Sequence, residues 1–190
     1  PISFHIPHGF IGMGEEEGGF LEVEKCVSAY LQAARQLGAE IQYETPCLEW
    51  GIEKNSIWVQ TPKEKIRAEK VVFAAGPWSC QLLRDLSLKL TVHRVVQFWF
   101  QGKNKEILKR INSCFALDMP HGFFYGFPSF ENSQYLKVAL HKPGEKVQDP
   151  SKMKREVFPE DSKEVAKFLS EVMPEIDPIP VEASVCMYTM

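Results

Sequence analysis

The chain has 190 residues, 44% hydrophobic and 25% charged, with 22 Lys+Arg against 25 Asp+Glu for a net charge of -3. That length buries a real core in one domain or two small ones, and the composition excludes disordered, collagen-like and coiled-coil chains. The near-neutral balance gives no electrostatic footprint for nucleic acid or an anionic membrane, and apolar runs such as residues 71–75 are far too short to span a bilayer.

Periodicity predicts a helix over residues 21–37, with Cys26, Val27, Tyr30, Leu31, Ala34 and Leu37 on one stripe and Gly38 at its stop. Strands are expected over 39–43, 56–61 and 66–74, the last two joined through Lys63-Glu64-Lys65. Gly76-Pro77 breaks the third, and 78–86 reads as a short helix. Residues 88–100 form a β-rich run interrupted by His93, Arg94 and Gln97. A hairpin is expected from 122–127 and 134–141 around Pro128-Ser129-Phe130-Glu131-Asn132, followed by a polar connection over 144–159. Asp161 is expected to cap a helix running to Met173, with Glu164 three residues on and Val165, Phe168, Leu169, Val172 and Met173 as its buried stripe. Pro174, Pro178 and Pro180 then end the helix, and 182–189 is the last strand. There is no internal repeat. This order gives the fold class α/β plus α+β: the back end of a nucleotide-binding α/β domain, then an antiparallel sheet with a covering helix.

Five cysteines, Cys26, Cys47, Cys80, Cys114 and Cys186, are scattered with no CxxC pair and no Cys/His group at zinc spacing, so no metal is expected. An odd number of separated thiols fits a reducing, cytoplasmic compartment. No basic-then-apolar signal opens the sequence. It starts at Pro1 with an alternating apolar stretch under way and stops at Cys186-Met187-Tyr188-Thr189-Met190, within an expected strand. An internal piece of a longer protein is therefore expected.

Four segments carry chemistry. Val71-Val72-Phe73-Ala74-Ala75-Gly76-Pro77-Trp78 runs a continuous apolar strand into small residues, which lets backbone lie close to a ligand; a buried strand with a tight turn is the plain structural alternative. On the strand Tyr135-Leu136-Lys137-Val138-Ala139-Leu140-His141, Lys137 and His141 share a face at roughly 13 Å, too far to touch but suited to two ends of one cavity. A solvated polar face is the alternative there. Phe124-Tyr125-Gly126-Phe127-Pro128 can wall a flat ligand or simply pack a core. In Val185-Cys186-Met187-Tyr188-Thr189, Cys186 and Tyr188 point the same way. Such a thiol can be a covalent attachment point, although a buried inert cysteine is the ordinary case.

In order and spacing these segments resemble the monomeric sarcosine oxidase family, with N-methyltryptophan oxidase and pipecolate oxidase, among the D-amino-acid-oxidase-like FAD-dependent oxidoreductases. The resemblance runs from Gly18-Gly19-Phe20-Leu21 through Ala75-Gly76-Pro77-Trp78, Tyr125-Gly126-Phe127-Pro128-Ser129-Phe130, Leu136-Lys137 with His141, and Phe158-Pro159-Glu160-Asp161 to Cys186-Met187-Tyr188-Thr189. It implies a partial FAD-binding α/β domain over residues 1–87, a substrate domain of antiparallel sheet and helix over 88–181, and a return strand over 182–190 that carries the flavin attachment. It further implies that Cys186 forms a thioether to FAD, that Lys137 assists the reaction with O2 beside the flavin, and that Tyr188, His141 and Tyr125 border the substrate. Ala75, Gly76, Pro77 and Trp78, with the backbone near Cys47, would approach the nucleotide. Two departures from the family pattern are one extra residue between Tyr125 and Lys137, and Pro77 where Ala is commoner.

The family's G-x-G-x-x-G fingerprint and its carboxylate-binding arginines would lie before Pro1, and a closing segment would follow Met190. The expected activity of the intact protein is oxidation of secondary amines, such as sarcosine, other N-methyl amino acids or cyclic amino acids, with hydride transfer to FAD and reoxidation by O2 to hydrogen peroxide. The piece alone is expected to be inactive and free of FAD. The alternatives are an FAD-dependent dehydrogenase using another acceptor, or a non-enzymatic module retaining the fold. Expected partners are a small amine or amino acid and O2, with no nucleic acid and no membrane.

Overall fold

The computed structural model describes residues 4–130 and 134–190. The chain divides into two compact units, Leu21–Leu90 and Thr91–Met190 together with residues up to Phe20. Pro1, Glu131 and Asn132, which entered the expectations above, lie outside the described residues.

In the smaller unit, α1 (Val23–Gln36) follows the apolar period and ends before Gly38, whose φ of +90° suits glycine. Its expected stripe is not buried: Tyr30 is 78% exposed and Leu37 89%. Three short strands, β1 (Glu49–Glu53), β2 (Ser56–Gln60) and β3 (Lys65–Ala68), form an antiparallel meander. Gly51 lies under the Trp58 indole, where a Cβ would meet the ring at 2.6 Å, so only glycine admits this packing. Thr61 is buried at the β2–β3 turn, its hydroxyl accepting the Lys63 and Glu64 N–H groups.

Two expectations change here. Residues 39–43 form no strand; Tyr43 enters a turn with Glu44 at φ +51° and takes a hydrogen bond from Arg35 at 2.8 Å. The third strand stops at Ala68, so residues 71–75 have no ladder partner among the described residues, and Val72 is 89% exposed. Alternation and apolarity give a burial preference, whereas a strand also needs a neighbouring edge to pair with. The expected helix over 78–86 resolves into α2 (Ser79–Leu82) between two 3-10 turns.

The larger unit is built on β4 (Val92–Gly102), whose even positions are Arg94, Val96, Phe98 and Phe100, and whose odd positions are His93, Val95, Gln97 and Trp99. After α3 (Lys105–Arg110) come β5 (Phe115–Met119), β6 (Gly122–Phe127), β7 (Leu136–Leu140) and the two-residue β8 (Lys146–Val147). Then follow α4 (Lys163–Val172) and β9 (Ile176–Thr189). The sheet runs β5-β6-β7-β4-β8, with β9 along the other side of β4, and every pairing among the described residues is antiparallel. The 182–190 segment is the C-terminal half of β9 and belongs to this sheet.

One face of this sheet makes the core. Phe98, Phe100, Phe124, Leu136 and Val138 pack beneath Val165, Phe168, Leu169 and Val172 of α4, with the Phe124 and Phe168 rings stacked at 4.3 Å. The α4 stripe is the one its 3.6-residue period predicts.

The role of Asp161 is corrected. A 3-10 turn, Pro159–Ser162, precedes α4, and Ser162 holds the cap position without a side-chain bond. The Asp161 carboxylate instead takes both arms of the buried Arg94 guanidinium, at 2.8 and 2.9 Å, and the Phe158 N–H. A bidentate charged partner outweighs one helix N–H. Nor do the prolines after α4 prevent a strand. Pro178 and Pro180 lie inside β9, which begins at Ile176, because β9 is an edge strand with register shifts beside Phe100. Sequence reasoning missed β1, β5, α3 and the two-residue β8.

Candidate functional site

Antiparallel register brings side chains from four strands onto the face opposite α4. Residues directly paired across a ladder share a face. Lys137 pairs with Phe127 on one side and Trp99 on the other, and Ala139 pairs with Tyr125. Across β4, Val95 pairs with Cys186 and His93 with Tyr188. Alternation along each strand therefore gathers Tyr125, Phe127, Lys137, His141, Trp99, Cys186 and Tyr188 on one side, and leaves the core phenyl rings on the other.

Within this face the Tyr188 hydroxyl lies 3.4 Å from the Tyr125 hydroxyl and 3.2 Å from His141 Nδ1, forming a hydrogen-bonded trio. Burial, then the bond to Tyr188, pushes the Tyr125 phenol well above its ordinary range, with the Gln97 amide acting weakly in the other direction. Tyr125 is thus a neutral hydroxyl at any physiological pH. Lys137 Nζ lies over the rings of Trp99 and Phe127, at 5.3 and 5.4 Å from their centroids. Its burial lowers the ammonium's pKa, partly offset by the charge of Cys186. No carboxylate pairs with it among the described residues. Cys186 is a free, half-buried thiol on the same face.

The other residues singled out from the sequence lie in the smaller unit. Ala75 accepts the Trp78 N–H at 3.0 Å, closing the 3-10 turn Gly76–Trp78. Gly76 has φ +51° with open space around its Cα, so the requirement for glycine there comes from backbone conformation alone. Pro77 sits in the first turn, and Trp78 is partly exposed. Cys47 donates to the Glu49 carbonyl at 3.7 Å, and burial pushes its thiol up. It lines a cavity of about 410 Å³ with Gln42, Thr45, Val59 and Thr61.

Sequence reading missed Trp99 and Gln97. Only the β4–β7 register reveals that Trp99 flanks Lys137, although an aromatic at an odd position of a strand with core phenyls at even positions was a usable signal. Among the described residues no group of three or more His, Cys, Asp or Glu could hold a metal, and no helix is long and apolar enough to cross a membrane.

The chain belongs to the FAD dependent oxidoreductase family, which matches residues 6–190. It is 31% identical over 189 residues to monomeric sarcosine oxidase of Bacillus sp. (strain B-0618), covering 97% of this chain and 48% of that protein. It is 29% identical over 176 residues to N-methyl-L-tryptophan oxidase of Salmonella typhi, covering 92% and 46%. The chain thus spans about half the length of the curated relatives it matches. The fold is similar to that of NikD, described as an unusual amino acid oxidase, at a TM-score of 0.71 and 20% identity over 88% of this chain and 44% of that one. It is also similar to L-proline dehydrogenase from P.horikoshii, at a TM-score of 0.68 and 17% identity over 87% and 43%.

Proposed function

We propose that this chain supplies the substrate-side sheet, and part of the nucleotide-side framework, of an FAD-dependent oxidase of secondary amines such as N-methyl or cyclic amino acids. One observation carries the reading: a half-buried thiol, an ammonium without a carboxylate partner among the described residues and a Tyr–Tyr–His trio share the sheet face opposite the core. The chemistry of these groups fits a flavin ring, with flat apolar walls at Trp99 and Phe127, a sulfur for attachment and a cation to meet the negative charge of reduction. Bound FAD would supply the two-electron redox chemistry of amine oxidation, with O2 as the final acceptor and hydrogen peroxide as the product.

The protein's part is orientation and electrostatics. Lys137 holds a fixed positive charge where O2 acquires negative charge, which stabilises that step without reorganisation. Tyr188 and His141 hold each other in place and present polar edges to a small substrate, while Tyr125 contributes a neutral hydroxyl at any physiological pH. Cys186 would anchor the ring through a thioether, its S–H and one C–H of a flavin methyl group giving way to the C–S bond while the two electrons pass to the flavin and then to O2. In the smaller unit, the small residues Ala75 and Gly76 let backbone approach the nucleotide beside Pro77 and Trp78, and the Cys47 backbone does the same.

The test uses the full-length protein with sarcosine, N-methyltryptophan and pipecolate as amines. Peroxide production in air supports an oxidase. Turnover that needs an artificial electron acceptor means a dehydrogenase, and purified protein without flavin means a non-enzymatic module. Lys137→Met is expected to slow reoxidation of the reduced enzyme by O2 at least 100-fold, on the order of one well-placed charge, while leaving anaerobic reduction by amine nearly unchanged. Equal slowing of both half-reactions removes Lys137 from the oxygen step.

A further inference from the structure

We propose that Trp99 and Phe127 are positioning residues for Lys137: their rings enclose the ammonium from the two neighbouring strands and keep it charged in a site that, among the described residues, offers it no carboxylate. Phe127, Lys137 and Trp99 are consecutive rungs across β6, β7 and β4, so the lysine stem rises between two aromatic neighbours on one face. Both ring centroids lie within the roughly 6 Å over which a cation is attracted to an aromatic face. Burial opposes the charge, and the two ring faces act against it.

The titratable groups that face Lys137 do not do this alone. On β6 the same face carries Tyr125, which stays neutral, and on β7 it carries Tyr135 just before the strand and His141 beyond its end. On β9 it carries Glu182, opposite Trp99, together with Cys186 and Tyr188. Glu182 makes no ion pair with Lys137, and β4 contributes Gln97 and the more distant His93. Cys186 supports the charge only as a thiolate. The proposed thioether removes that ionisation, which leaves the two rings as the groups that favour the ammonium.

This inference rests on the proposed oxygen-step role of Lys137 only for its consequence in catalysis, so its test reads the lysine directly. The full-length protein is labelled with 15N-lysine, and the Lys137 Nζ resonance is assigned by its loss in Lys137→Arg. Tryptophan is replaced biosynthetically with mono-, di- and trifluorotryptophan, which drains the ring's negative face while keeping its shape. The Lys137 pKa is expected to fall stepwise with fluorination, by about one unit over the series, and by a similar amount in Phe127→Leu. Trp99→Phe should keep most of the wild-type value, whereas Trp99→Leu should not. A Lys137 pKa that ignores fluorination overturns the proposal even where Trp99→Leu fails to fold, because it reduces the rings to packing for the lysine stem. A falling pKa with an unchanged pH profile for reoxidation by O2 upholds the aromatic enclosure and removes Lys137 from the oxygen step.

Discussion

The two faces of the larger sheet are made by the same strands and differ in almost every other respect. Beneath α4, Phe98, Phe100, Phe124, Leu136 and Val138 are sealed from water and carry no polar side-chain atom. On the opposite face Tyr125, Lys137, Cys186 and Tyr188 are only half-buried, and the two tyrosine hydroxyls meet each other. One face holds the sheet rigid so that the other can hold ionisable groups at fixed separations. Changes to the first are expected to act on stability, and changes to the second on chemistry.

The largest effect should come from the sealed face. Phe168→Ala removes the ring stacked on Phe124 and is expected to cost about 3–5 kcal/mol in denaturant unfolding. Next is the pair at the edge of that core. Asp161→Asn leaves the buried Arg94 guanidinium without its charge partner and should cost about 2–3 kcal/mol. Arg94 holds the native Asp161 carboxyl below its ordinary range, so the pair's contribution is complete above the unfolded carboxylate pKa and is lost as pH falls through the lower native one. Wild-type stability should therefore decline more steeply with acid than that of Asp161→Asn. A parallel decline would mean that the pair contributes nothing to acid sensitivity.

Smaller effects are expected opposite. Tyr188→Phe removes the hub of the trio and should cost about 1 kcal/mol of stability while changing the KM for the amine more than reoxidation by O2. Lys137→Met should leave stability within about 1 kcal/mol of wild type, because a desolvated charge with no carboxylate partner among the described residues is replaced by an apolar chain of similar length. A large loss of stability in Lys137→Met would erase the distinction between the faces.

Much of this division was legible in the sequence where patterns are long. The period-2 parity of residues 135–141 already separated Lys137 and His141 from Leu136, Val138 and Leu140, and the parity of 185–189 did the same for Cys186 and Tyr188. The α4 stripe was equally plain. What was hidden depends on partners distant in the chain. Asp161 looks like a helix cap until Arg94, 67 residues earlier, reaches it. Pro178 and Pro180 look like breakers until β9 proves to be an edge strand. Residues 39–43 and 71–75 look like strands, yet no ladder partner stands beside them among the described residues. The strands β1 and β5 carry Gly51 and Asp118, residue types depleted in strands, which mask their signal, whereas α3 did carry one in Asn104, whose side chain accepts the Glu106 N–H at 3.1 Å.

The sharpest single measurement is mass mapping of flavin on peptides from acid-precipitated full-length protein. The peptide that contains Cys186 is expected to carry the added mass of FAD, and Cys186→Ala should release all colour to the supernatant. Wild-type protein whose flavin dissolves completely in acid, or a flavin found on Cys47 or another thiol, would contradict the convergence of Cys186 and Lys137 on one cofactor.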